Sequence, residues 1–461
     1  MSDAELVALV CCDLGAIVRG RSVLASQLDE HLRAGIGWVP ANHALTPLGP
    51  VAEPNPFGST GDLRLLPDVD TRTAVSAEGE HGAMELLLCD IVELDGRPWQ
   101  CCPRSFLREA LGELERELGA RVVASFEHEF QLLPSGGTGA KPSGAGQGAG
   151  QPAPPSGDQQ APALPFTLDA QRRVEPFPAR VMGALVDAGI EPERFFAEYA
   201  ADQFEIPVAP ATGIASADRA VLLREVVREI ARRQGLRASF TPLLDPQQAG
   251  NGVHIHLSLV DAGGRPLLHD AARPGRLSEL GERFAAGILR HARALSALTA
   301  ASPVSGARLQ PHRWSAGAVC LAERNREALL RIPPVVELAG ARPAGQLRLE
   351  YRGADASANP HLALGAIVRA GLEGLRAQLP APPILDRDPA QLDAEQAARF
   401  GVGALPTTLA QALQALAEDD TARAWLAPLL YDAYVSVKRA EIDAAADAEL
   451  QEVCRRYAAI Y

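Results

Sequence analysis

The sequence predicts an α+β protein, with a small, mostly β region of residues 1–100 ahead of a larger mixed region of residues 101–461. Three observations carry that expectation. Residues 5–100 break into short apolar runs punctuated by Pro and Gly, among them ELVALVCCDLGAIVRGRSV, NPFGSTGDLRLLPD and MELLLCDIVELDGRP, which is how strands joined by turns read. The first long helical pattern starts only at Pro103, where Leu107, Leu111, Leu114 and Leu118 share one stripe and Gly119 supplies a stop. Beyond it, alternating runs are interspersed with helical ones, so strands and helices share the second region.

The second region then reads element by element. The helix at 103–118 leads into an alternating run, RVVASFEHEFQLL, at 121–133. Residues 135–165, SGGTGAKPSGAGQGAGQPAPPSGDQQAPALP, hold no aromatic residue and almost nothing apolar to bury, so a disordered, low-complexity surface insertion without chemistry is expected there. Further helices are expected at 177–188, at 216–234 with Ser216 as cap and Gly235 as stop, and at 277–299. Three more follow at 360–379 behind Asn359, at 407–418 and at 428–458. No internal repeat interrupts this order.

Bulk properties narrow the function classes. A chain of 461 residues, 47% apolar and 22% charged, has the composition of an ordinary globular protein able to bury a large core. Its net charge of -13 counts against a nucleic-acid partner, although local arginine clusters remain free to hold small anions. The cysteines, at 11, 12, 89, 101, 102, 320 and 454, are odd in number and contain no CxxC, which fits reduced thiols in the cytoplasm better than a disulfide framework or a zinc knuckle. The opening MSDAELVALVCCDLG has no basic stretch, and nowhere do roughly 18 apolar residues run together, so neither export nor a membrane span is expected.

Four strand-like segments carry chemistry. In GNGVHIHLSL, residues 250–259, alternation places His254, His256 and Ser258 on one face and Val253, Ile255, Leu257 and Leu259 on the other. In RVVASFEHEFQLL, Glu127 and Glu129 point away from Phe126, His128, Phe130 and Leu132. In RFFAEYAADQFEIPVAP, a turn centred on Ala201 and Asp202 would set Glu198 directly opposite Glu205. In QLRLEYR, Arg348, Glu350 and Arg352 alternate with Leu347, Leu349 and Tyr351. Each segment alone also reads as a solvated or salt-bridged exposed strand. Together they offer many carboxylates and few thiolates, a donor set that suits Mg²⁺ or Mn²⁺ rather than Zn²⁺. The run AERNREALLRIPP adds Arg324, Arg326 and Arg331, whose guanidinium forks match a polyphosphate or, equally, form an ordinary arginine-rich surface. Neither a GxxxxGK[ST] loop nor a strand-linked GxGxxG is present, which excludes P-loop and Rossmann modes of nucleotide binding.

In chain order, FEHEF, EYAADQFEI, GNGVHIHLS, RLQP, ERNREALLRIP and RLEYRGADASANPHLAL resemble the signature blocks of the glutamine synthetase superfamily. The resemblance extends from GDLRLLPD to the final helices. It implies a β-grasp N-terminal domain at 1–100, a catalytic domain at 101–461 with a curved antiparallel sheet and flanking helices, and active sites between subunits of a homo-oligomer of stacked rings. It implies ATP and two or more Mg²⁺ or Mn²⁺ ions per site. By position, Glu129, Glu198 and Glu205 would hold one ion, and Glu127, His254 and Glu350 another. His256 and Ser258 would lie near the nucleotide, with Arg326, Arg331 and Arg348 on its phosphates. Arg308 would receive an α-carboxylate, Arg352 would stand near the reacting carboxylate, and Gly250 would belong to the substrate loop; Arg308, Arg326 and Arg352 are the expected catalytic arginines.

The departures from that pattern direct the choice of substrate. Where ammonia-using members place a glutamate in PGYEAP, this chain reads PHRWSAG, with Trp314 in its place. The aspartate of the ammonium pocket has no counterpart in VPANHALTPLG, and Ala249 replaces the asparagine before the substrate-loop glycine. Desolvating NH₄⁺ requires negative charge, whereas an indole either offers an apolar or cation-accepting wall or simply packs beneath a flap. The expected reaction is therefore ATP-dependent ligation of glutamate, or a similar acid, to an organic amine through an acyl phosphate. Glutamine synthetase proper is the alternative; a non-catalytic relative and a hydrolase built on the HxH strand are the remaining readings.

Overall fold

The computed structural model describes residues 5–135, 164–313 and 315–461. The expected insertion at 135–165 falls almost wholly outside the described residues, and so does Trp314.

The short apolar runs at the N-terminal end form a six-stranded sheet: β1 (Leu6–Cys12), β2 (Val18–Leu24), β3 (Ile36–Trp38), β4 (Leu63–Pro67), β5 (Thr73–Val75) and β6 (Met84–Val92). Its order is β2-β1-β6-β4-β3, with β5 paired to β6, and only β1 and β6 run parallel. The β1–β2 turn closes because Asp13 Oδ1 accepts from the backbone N–H groups of Gly15 (2.8 Å) and Ile17 (2.9 Å). All seven cysteines are buried with unpaired sulfurs.

Arg104, in the first turn of the helix Pro103–Leu118, joins this sheet to the rest of the molecule. Its buried guanidinium donates to Asp90 (2.8 Å) and Asp68 (2.8 Å) of the small sheet region and to both Asp218 oxygens (2.9 Å) on the helix Ile214–Arg233. His361, on the helix Pro360–Arg376, reaches the same Asp218 at 2.8 Å.

The alternating runs build a second, nine-stranded sheet from β7 (Ala120–Pro134), β8 (Phe196–Ala197), β9 (Gln203–Ile206), β10 (Ala211–Thr212), β11 (Leu236–Ser239), β12 (Val253–Asp261), β13 (Ala318–Ala322), β14 (Ala328–Arg331) and β15 (Leu349–Tyr351). The order is β13-β14-β15-β12-β7-β9-β8, with β10 and β11 also on β7; every pair is antiparallel except β13–β14. Phe126, Phe130, Leu132, Ile255 and Leu257 project from one face into the main core beneath the helices. The other face is left for polar side chains.

Several helices differ from expectation for local reasons. The run 277–299 is two helices, Glu279–Arg290 and Ala292–Thr299, broken at His291, whose Nδ1 lies 2.6 Å from Asp419. The run 428–458 also divides, into Pro428–Ala445 and Leu450–Ala458. The second piece turns back so that the buried Tyr457 hydroxyl donates to Glu441 at 2.7 Å. Ser216 does not cap its helix, which begins at Ile214; its hydroxyl donates instead to the Gly213 carbonyl at 2.8 Å. Asn359 does cap, accepting from His361 and Leu362 while its amide donates to the carbonyls of Cys12 and Asp13. Among the described residues no helix is long and apolar enough to cross a membrane.

Candidate active site

Cross-strand pairing assembles the site from segments distant in sequence. In antiparallel pairs, directly opposed residues share a face. Glu129 of β7 opposes Glu205 of β9, which in turn opposes Phe196 of β8. Glu127 opposes His254 of β12, and His256 opposes Glu350 of β15, which opposes Arg331 of β14. The polar face of the sheet is thereby a continuous ladder of glutamate, histidine and arginine.

The expected register at Glu198 is corrected. Glu205 faces Phe196, and Glu198 instead donates its backbone N–H to Gln203 at 2.8 Å. The turn is longer than the sequence suggested, with Asp202 at φ 53. Because the slip is an even number of residues, Glu198 keeps its face and enters the same cavity.

That cavity, about 500 Å³, is lined by Glu127, Glu129, Glu198, Glu205 and Glu350 together with His254 and His256. Arg326, Arg331, Arg348 and Arg352 line it as well, as does Gly250. Glu350 and Arg352 are each only 2% exposed, so the exposed-strand reading of QLRLEYR fails. Ser258 stands elsewhere: its hydroxyl donates to the Leu347 carbonyl at 3.0 Å, and it lines an adjoining cavity of about 260 Å³ that shares Glu127, His256 and Arg348 with the first. Arg308 is buried behind the wall, donating to the Ala354 carbonyl at 2.8 Å. Arg324 does not line the cavity.

The loop before β12 is shaped by this arginine. A Cβ on Gly250 would lie 2.3 Å from the Pro242 carbonyl oxygen and 2.7 Å from Arg308 Cγ, so no larger residue fits without moving backbone. Gln203 and Asn251, both missed by sequence reasoning, fix the loop. Gln203 Nε2 donates to the Gly250 carbonyl (3.0 Å) and to Asn251 Oδ1 (2.9 Å), while the Gly252 N–H donates to Glu129 Oε2 at 2.8 Å. Gln203 was legible as the residue two before Glu205, on its face. Arg194, Arg313, Phe166, Phe196 and Tyr199 also line the cavity without a signal of their own in the sequence.

Electrostatics divides the glutamates into two sets. Burial and the neighbouring Glu129 push Glu198 up to about 8. Burial, Glu127, Glu129 and Glu198 push Glu205 up to about 10. Against its own burial, Glu350 is held down to about 2 by Arg352, His254, His256 and Arg331, with Arg331 Nη1 at 2.8 Å and Arg352 also in contact. Glu127 is likewise held well below its ordinary value, chiefly by His256 and His254 working against desolvation. His256 Nε2 comes within 3.1 Å of Glu127, close but poorly aligned for a hydrogen bond, while its Nδ1 accepts from Arg348 at 3.0 Å.

Carboxylates crowded until two of them resist ionisation mark a place where cations belong. Ligand atoms of Glu127, His254 and Glu350 lie within 4.8 Å of one another, as do those of Glu129, Glu205 and His254. These oxygen-rich sets fit hard divalent ions. Glu198 stands outside the second set, and His254 belongs to both, unlike the expected assignment.

Two family models match end to end: "Glutamine synthetase N-terminal domain" over residues 1–99 and "Glutamine synthetase, catalytic domain" over residues 100–457. The chain belongs to the glutamine synthetase family. Members of this family are ligases that join glutamate to an amine, and the family uses ATP and divalent metals. The chain is 35% identical over 439 residues to the gamma-glutamylpolyamine synthetase of Streptomyces coelicolor, covering 94% of this chain and 89% of that one. It is 30% identical over 383 residues to the glutamine synthetase of Methanocaldococcus jannaschii, covering 83% and 80%. Among solved structures, a novel glutamine synthase homolog superposes with a TM-score of 0.87 at 44% identity, covering 100% of this chain and 99% of the other. A GmaS/ADP complex superposes at 0.79 with 25% identity over 97% and 95%. Within this glutamine synthetase fold, the acidic cavity lies on the polar face of the catalytic sheet.

Proposed function

We propose that the protein ligates the side-chain carboxylate of glutamate, or of a closely similar acid, to an organic amine at the expense of ATP. The observation that carries this reading is the cavity in which carboxylates, two histidines and arginines from five strands and the loops between them converge. Glu127, His254 and Glu350, and Glu129, Glu205 and His254, are the sets that would hold Mg²⁺ or Mn²⁺, with Glu198 beside them. Bound there, the ions would offset negative charge on the transferring phosphoryl group.

The remaining roles belong to the protein's own side chains. Arg326, Arg331 and Arg348 hold the nucleotide phosphates, and His256 and Ser258 border the adjoining cavity on the nucleotide side. Arg352 stands by the reacting carboxylate. Arg308 acts through the Gly250–Gly252 loop it supports, as a positioning residue. Phosphoryl transfer converts the carboxylate into an acyl phosphate. The unprotonated amine nitrogen then attacks the acyl carbon, forming the C–N bond. The C–O bond to phosphate breaks, phosphate leaves with the electron pair, and the amine proton passes to solvent.

The sequence at Trp314, together with the absence of both ammonium-pocket carboxylates, supports an organic amine over ammonia. Glutamine synthetase proper is the second reading, supported by the relatives of that name. We further propose a cytoplasmic homo-oligomer of stacked rings. The deciding measurement is phosphate release with ATP, Mg²⁺, glutamate and a panel of amines, with the mass of each product determined. Some alkyl or aryl amine is expected to outpace ammonium; if ammonium is the best nucleophile across the panel, the second reading takes its place.

A further inference from the structure

We propose that Phe166 and Tyr199 form the wall that selects the amine, and that the preferred amine is a primary monoamine with a hydrocarbon body, alkyl or arylalkyl. This rests on the ligase reading above. Among the described residues the main cavity is lined by five glutamates and six arginines, a surface suited to ions and phosphates. Yet two large rings open onto it, Phe166 at 52% exposure and Tyr199 at 43%. They meet edge to face, with centroids 5.0 Å apart and an angle of 90° between planes. Phosphate, carboxylate and divalent cations need no such surface. Two adjacent aromatic rings in a polar cavity are what an apolar group would cover.

Their placement fits the nucleophile. Tyr199 directly follows Glu198, and Phe196 lines the same cavity two residues before it, so the aromatic wall adjoins the carboxylate hairpin. Phe166 is held at φ 59, a conformation rare for a bulky residue, and the next residue, Thr167, caps the helix Leu168–Arg172. The ring is thus presented from a fixed mount rather than packed into the core.

Charge decides between kinds of amine. When divalent ions offset the glutamates, Arg313 remains in the cavity beside the arginines assigned to phosphates, as does Arg194, with Glu193 at 3.6 Å offsetting part of its charge. A second ammonium on the tail of a diamine or polyamine meets that positive field, and a hydrocarbon tail does not. Attraction of a cation to the ring faces opposes this preference, which makes the diamine comparison the sharp one.

The test is steady-state phosphate release by the full-length protein with ATP, Mg²⁺ and glutamate. The amines are ammonium, methylamine, butylamine, phenethylamine and the butane diamine of equal length. In the native protein, kcat/KM should rise from methylamine to butylamine and phenethylamine, and butylamine should exceed the diamine. Phe166→Ala and Tyr199→Ala should each lower kcat/KM for the two larger monoamines about tenfold, through KM for the amine, as expected for loss of one ring contact. KM for ATP and glutamate should stay unchanged, Phe166→Leu and Tyr199→Phe should restore most of the loss, and melting curves should show that the variants fold. A preferred diamine, or alanine variants that keep the native order of amines, overturns the inference while leaving an organic-amine ligase standing. Ammonium as the best native substrate removes the organic-amine reading itself.

Discussion

Glu205 opposes Glu129 across one strand pair and shares its cavity with Glu127 and Glu198, so four carboxylates compete within one poorly solvated space. Burial and those neighbours push its carboxyl up to about 10. A residue placed this badly for stability is placed well for a cation. Glu205→Gln keeps the shape, removes the repulsion and deletes one of the proposed ligands. The metal-free variant is therefore expected to be more stable than the native protein by about 1–2 kcal/mol, read from denaturant melts. Its Mg²⁺-dependent phosphate release should fall by about two orders of magnitude or more. A variant that loses stability along with activity would mean that Glu205 supports the hairpin rather than an ion. Single residues such as Glu205 were legible because alternation assigns faces without knowledge of partners. Arg308 was not: its place behind the Gly250 loop depends on how the helix Ser305–Arg308 meets the Ala354 carbonyl, which no local pattern encodes.

Between elements, the buried Arg104 cluster does the joining. Asp218 is desolvated, which alone would raise its carboxyl, yet hydrogen bonds from His361 and Arg104 overcome burial and depress it below the ordinary value. A depressed folded-state value means that the unfolded chain takes up the proton first as pH falls. The associated stability is present above the unfolded value of about 3.9 and is lost as pH drops through it toward the lower folded value. Asp218→Asn should accordingly flatten the acid limb of the stability curve, and Arg104→Met, which leaves Asp218 with His361 alone and Asp68 and Asp90 with the half-exposed Arg108, should cost about 3–5 kcal/mol at neutral pH. An unchanged melting profile for Arg104→Met would show the two regions to be held together by apolar packing alone. None of this cluster could be read from sequence, since Asp68, Asp90, Arg104, Asp218 and His361 lie on separate elements and share no spacing. Register failed for the same kind of reason at β8–β9: EYAADQFEI contains no Asn-Gly to fix its turn, and the long-range pairing of β9 with β7 set the hairpin instead. The helices also break at His291 and after Ala445 where periodicity would have continued them, and the contacts made at those breaks, His291 with Asp419 and Tyr457 with Glu441, join residues that no local pattern pairs.

Across the whole molecule, the order of six weak motifs carried the family and the fold, because five of them hold strands whose polar faces must meet, and the sixth, RLQP, holds the Arg308 that supports the Gly250 loop. The cavity they form exists only when β7, β9, β12, β14 and β15 are all paired, so anything that binds there binds the folded state alone. Binding free energy then adds to folding free energy, by about 2.7 kcal/mol for a ligand at a hundred times its dissociation constant. Mg²⁺ with a non-hydrolysable ATP analogue is expected to raise the melting temperature, and a chelator to reverse the rise. Because the ions also relieve repulsion among Glu129, Glu198 and Glu205, Mg²⁺ alone should give part of the effect, and the analogue without Mg²⁺ should give little. In Glu127→Gln, which leaves the Glu129 and Glu205 pair intact, the Mg²⁺ response should shrink without vanishing, since the two ligand sets overlap only at His254. Equal stabilisation by the analogue with and without Mg²⁺ would place the nucleotide on the arginines independently of the carboxylates, and the glutamate ladder would then need a different purpose.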